Sequence, residues 1–62
     1  MITKFVKIGD RVAHLDHIAI GEVLEVYESS GWIAAEVLWD RKIYGKFVTT
    51  ELIDDLQLLE LN

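Results

Sequence analysis

The chain has 62 residues, no Cys, no Pro and two His, and it sets six Lys plus Arg against eleven Asp plus Glu, a formal net charge of −5. That length allows one domain over 1–62, whose core buries roughly 60% of the surface its unfolded form exposes, with no disulfide or thiolate metal site to brace it. The acidity argues against an ordinary nucleic-acid binder, which needs cations to neutralise phosphates, and the 52% hydrophobic content points to self-association or a larger partner as the missing support.

In "VKIGDRVAHL" the Gly9-Asp10 pair is a turn signal, since Gly permits positive φ and Asp bonds nearby backbone. Arg11 to Leu15 then reads as a strand, and "DHIAIG" as a loop closed by Gly21. "EVLEVYE" is rich in β-branched and aromatic residues and reads as a second strand. "SSG" is a tight connection, and "WIAAEVLWD" a third strand with Ala35, Val37 and Trp39 on one face and Ala34, Glu36 and Leu38 on the other. "RKIYG" reads as the next connection and "KFVTT" as a fourth strand. The tail fits helical and strand spacing alike. A compromise puts a helical turn near Glu51–Asp54, a corner at Asp54-Asp55 and a last strand at Leu56–Glu60.

Five short strands with turn signals every eight to twelve residues predict an all-β fold, a small five-stranded barrel with a short helical turn before the last strand. Closing the sheet would also remove exposed edges. The second strand is then long and bent, which accounts for Val23, Leu24 and Val26 breaking strict alternation. Gly21 marks a kink or a close backbone approach.

"IGDRVAH", "IGEVLEV", the Gly-led strand ending "EVLWD" and the closing "ELIDDLQLLEL" resemble the SH3-like barrels of the KOW and Tudor-like type. Those commonly run G-D-x-V, a loop, G-x-V-x-x-V, a strand ending in an aromatic followed by Asp, and a D/E-L-x-L-L close. The resemblance covers nearly the whole chain. It implies a fold and leaves the role open, because this barrel serves RNA, DNA, polymerase, methylated side-chain and protein binding. "HLDHIAIG" departs from the family in having one Gly where G-x-G is common, and its loops are less basic than those of nucleic-acid binders. "KIYG" is similar to a Gln-Ile-Tyr stretch of type II dihydrofolate reductase, another SH3-like barrel, but Lys42 stands where that enzyme has Gln.

All six basic residues fall into two clusters, Lys4, Lys7 and Arg11, and Arg41, Lys42 and Lys46. Brought together they would make a basic patch able to take phosphates despite the net charge. Kept apart they are solvated loop charges. Trp39 and Phe47 hold strand positions suited to a core, whereas Trp32 and Tyr44 sit at connections, where exposed aromatics anchor protein contacts or cage a cation. Ile18 and Ile20 are apolar residues in a loop, and Ile33 changes face with register. His14 and His17 flank Asp16, but two His and one carboxylate lack the third firm ligand and the orienting partners of a catalytic metal site. No Gly-rich phosphate loop, nucleophile motif or spaced acid pair occurs.

The sequence therefore predicts a non-enzymatic interaction module with no metal or cofactor, self-associating or docking on a larger protein. Its expected anchors are Trp32, Ile33 and Tyr44, with Ile18 and Ile20 behind them. The alternative is a nucleic-acid-associated adaptor of transcription or repair machinery using the two basic clusters. An enzyme assembled at an oligomer interface has the least support. "MITKFVKIGD" lacks the apolar run of a signal peptide, and no apolar stretch reaches the ~20 residues of a membrane span, so a cytoplasmic location is expected.

Overall fold

The computed structural model of the protein describes residues 6–59. It contains β1 (Arg11–His14), β2 (Ile20–Ser29), β3 (Trp32–Ile43), β4 (Lys46–Leu52), a 3-10 turn (Ile53–Asp55) and β5 (Leu56–Leu59). All strand pairs are antiparallel, in one sheet of order β4-β3-β2-β1-β5. The all-β fold and the helical turn before the last strand stand as the sequence predicts. The sheet is not closed: among the described residues no ladder joins β4 to β5.

Each turn follows from local backbone chemistry. Asp10 N donates to the Lys7 carbonyl at 3.0 Å across Gly9, whose φ of 94° a side chain would resist. The Asp10 carboxylate returns the bond, accepting from Lys7 N at 2.9 Å. Ser29 pairs with Trp32 around Ser30-Gly31, and Ile43 with Lys46 around Tyr44-Gly45. In both two-residue loops both central φ values are positive, as a hairpin turn matched to strand twist requires.

The long strands bend. Straight, the 12 residues of β3 would reach roughly 36 Å, more than the molecule's largest dimension of 31 Å. The β2–β3 register shifts between Val23 and Glu25, a bulge at Leu24 that resets which residues face inward. A second shift lies between Leu38 and Ile43 on the β4 side of β3.

Alternation then places Val12, Val23, Ala35, Val37, Trp39 and Leu56 in one buried cluster with Ala19 and Ile43. The fully buried Val and Leu side chains each contribute about 1.5–3 kcal/mol by leaving water. Gly21 sits where β2 crosses closest to β3: an added Cβ would lie 2.5 Å from Val37 Cγ1 and 2.7 Å from the Leu38 carbonyl oxygen.

Three expectations are corrected. β3 continues through Ile43, so Arg41 and Lys42 are strand residues and only Tyr44-Gly45 turns. Ile20 opens β2 and is not a loop residue. Phe47 is half exposed, at 50%, because it falls between the Ile43–Lys46 pair at the hairpin turn and the point where regular β3–β4 pairing resumes at Val48. The Lys42 ammonium lies 5.6 Å from its ring centroid.

Gly21→Ala is expected to destabilise the fold by about 2–3 kcal/mol, because the atoms it meets are backbone and packed core. Urea denaturation checks this, and an unchanged midpoint would refute the close approach.

Candidate functional site

Among the described residues two polar side chains are buried, His14 on β1 and Glu51 on β4, and they meet inside the molecule. Each faces inward by alternation, His14 two residues after Val12 and Glu51 opposite Ala35. Asp16 N donates to His14 Nδ1 at 3.0 Å. That bond occupies the Nδ1 lone pair, so the neutral ring carries its proton on Nε2 and donates it to Glu51 Oε1, also at 3.0 Å. The other carboxylate oxygen, Oε2, accepts from the Thr49 hydroxyl at 2.6 Å. Thr49 Oγ1 in turn accepts from the Trp39 indole N–H at 2.8 Å.

Every link in this chain has a defined direction, and among the described residues no buried side-chain nitrogen or oxygen lacks a partner. The arrangement therefore has no free nucleophile. The Thr49 proton is committed to Glu51, and the His14 acceptor nitrogen is committed to backbone. It joins β1, β3 and β4, the first of which is not a sheet neighbour of the other two.

Aromatic contacts carry the cluster to the surface. His17 meets His14 edge-on at a centroid distance of 4.6 Å and Tyr44 edge-on at 4.9 Å. Tyr44 holds a φ of 54°, a left-handed conformation that costs a residue with a Cβ on the order of 1 kcal/mol. Among the described residues no group of three or more His, Cys, Asp or Glu is placed to hold a metal ion.

The expected interface residues divide between two ends. Trp32, 63% exposed, opens β3, with half-buried Ile33 beside it. Tyr44, 71% exposed, lies just past the other end of β3. Ile18, 87% exposed, follows His17, whose ring meets Tyr44, and Ile20 opens β2. Trp32 and Tyr44 thus sit at opposite ends of β3.

The register reveals an outer face that composition alone did not show. Tyr27, Ala34 and Leu52 lie directly across from one another on β2, β3 and β4, and Trp32 shares their face of β3. Glu25, Glu36 and Thr50 form the next row, followed by Glu22, Leu38 and Val48. Alternation in β3 hinted at this face; the bulge at Leu24 concealed its β2 members.

The described basic residues do not gather into one patch. Arg11 lies across from Glu22, Arg41 pairs with Asp40 at 3.6 Å, and Lys42 covers Phe47. Lys46 borders a depression that also includes Glu36 and Glu51. Lys7 is exposed near the Gly9 turn, and Lys4 lies outside the described residues.

No family model matches the chain, nor does any curated protein or solved structure compared with it. Among the described residues no helix is long and apolar enough to cross a membrane.

Glu51→Ala should cost about 2–4 kcal/mol, since it strands the His14 and Thr49 donors in the interior. Thr49→Val should cost about 1–2 kcal/mol by removing the indole's acceptor. Chemical denaturation of both variants and of the pair gives the coupling. Strict additivity would mean that the carboxylate and the hydroxyl act independently.

Proposed function

We propose that this chain is a non-enzymatic protein-interaction module, an SH3-like barrel of the KOW and Tudor-like kind that acts by contact with itself or a larger protein. The fold reading is supported by the strand order, the bulged second strand and the 3-10 turn before β5. The functional reading rests on one observation. Among the described residues eleven large apolar side chains are exposed, more than the nine hydrophobic residues buried in the core. Surface of that extent on so small a body marks contact sites. The outer-face group of Trp32, Tyr27 and Leu52 is the best-formed of these, because cross-strand pairing holds it on rigid sheet.

The saturated polar network supports a structural role and leaves no group to carry chemistry. The dispersed basic residues, three of them beside a carboxylate or a ring, give the nucleic-acid reading less support.

Trp32→Asp tests the proposal. The variant should keep its stability within about 0.5 kcal/mol, as an exposed site allows, while the parent gains mass with concentration or binds a protein partner and the variant does not. Sedimentation equilibrium reads the mass, and urea denaturation followed by the emission of the buried Trp39 reads the stability. Association that survives this change would remove the outer face from the contact surface.

A further inference from the structure

We infer that two copies of this chain join edge to edge through β4, making one continuous antiparallel sheet about a twofold axis at Thr50. This rests on the self-association reading above and names the surface that performs it.

β4 ends the sheet, and no described strand pairs with its outer side. Natural sheets protect such edges with Pro, bulges, runs of charge or an inward-pointing charged residue. Along its central stretch β4 has only the last of these, Glu51, whose carboxylate is already bonded inside to His14 and Thr49. It lacks Pro, pairs regularly with β3 from Val48 to Leu52, and carries Lys46 as its one cation. An open depression of about 520 Å³ runs beside it, lined by Glu36, Tyr44, Lys46 and the stretch 48–51.

The occupant and its register follow from the pleat. Directly opposed residues in an antiparallel pair share a face, so a twofold partner must align β4 about a residue. Centring on Thr50 sets Val48 against the partner copy's Leu52, and Leu52 against its Val48. The apolar row Tyr27, Ala34 and Leu52 then runs on into the second copy's Val48 and Leu38. The polar row Glu25, Glu36 and Thr50 meets its own image through the two threonines. Centring on Thr49 would instead oppose Lys46 to Leu52 and Val48 to Thr50. Centring on Val48 would set Leu52 against Tyr44, which lies in the hairpin turn and outside the strand. A second copy of this chain thus matches the edge in polarity.

Because the chain has no Cys, Thr50→Cys provides a clean cross-linking site. Mild oxidation should convert most of it to a covalent dimer, while Gln57→Cys, exposed on β5, should remain monomeric under the same conditions. Val48→Lys and Leu52→Glu should each weaken the dimer at least tenfold by sedimentation. The double variant V48K/L52E should regain it, because each introduced Lys then faces the other copy's introduced Glu. A dimer that the Thr50→Cys variant fails to cross-link, and that does not respond to change at positions 48 and 52, would overturn the β4 pairing and leave self-association standing. A parent chain that stays monomeric at millimolar concentration would overturn both.

Discussion

His14 and Glu51 join strands that the sheet keeps apart. β1 and β4 are separated in the order by β3 and β2, so a bond between them must cross the interior. It does for this open sheet part of what a hydrogen-bonded seam does for a closed one: it fixes how far the sheet curls. The backbone bond from Leu15 N to the Asp55 carbonyl, 3.0 Å long, carries the β1–β5 ladder one residue further, into the 3-10 turn that follows β4. A buried pair of this kind adds little net stability over a well-packed apolar pair, but removing one partner is expensive. Its larger effect is on register. Slipping β4 by one residue would turn Thr49 and Glu51 outward and put Thr50 with Val48 or Leu52 in their places, so His14 and the Trp39 indole would lose the carboxylate and one of them would face an apolar side chain.

That register also determines the surface. Once Glu51 is held inward, Val48, Thr50 and Leu52 must face out. The bulge at Leu24 does the same for β2, sending Tyr27 to the outer face beside Ala34. The exposed apolar rows are therefore a geometric consequence of the buried polar network and the bulge. A core this small has room for few large side chains, and the alternation of long strands supplies more apolar positions than it can cover.

Much of the fold was legible in the sequence because turn chemistry and alternation are local. Gly9-Asp10 and Ser30-Gly31 announce their turns, the faces of β3 follow from period two, and Gly21 stands where the backbones crowd. Less legible was whatever depends on distant residues. His14 and Glu51 are 37 positions apart, and only the shared parity of His14 with Val12 hinted that the ring points inward. The stretch from Arg41 reads as a connection, yet Arg41, Lys42 and Ile43 continue β3 through an irregular register. Tyr44 is a poor residue for a positive φ, so the sequence marked the second connection through Gly45 but not its tight two-residue form. Exposure of Trp32 and Tyr44 was legible from their places at connections, whereas Ile18, apolar in a loop, suited a buried lid as well as an exposed patch. The division of Trp32 and Tyr44 between two ends was not legible, because it depends on the length of β3.

An open sheet of this size links stability to association. Its core is limited by length, and neither a disulfide nor a closed seam compensates. On the reading proposed above, a second strand laid along β4 would satisfy backbone groups that otherwise face water and would cover Val48 and Leu52 in the same step. The Tyr44 turn borders that edge, with its ring held on His17 and its backbone in a costly conformation. A tight turn with Asn at that position would be easier to form. Retaining an exposed aromatic there costs the isolated chain stability, and contact with a partner is the circumstance in which such a ring would return it.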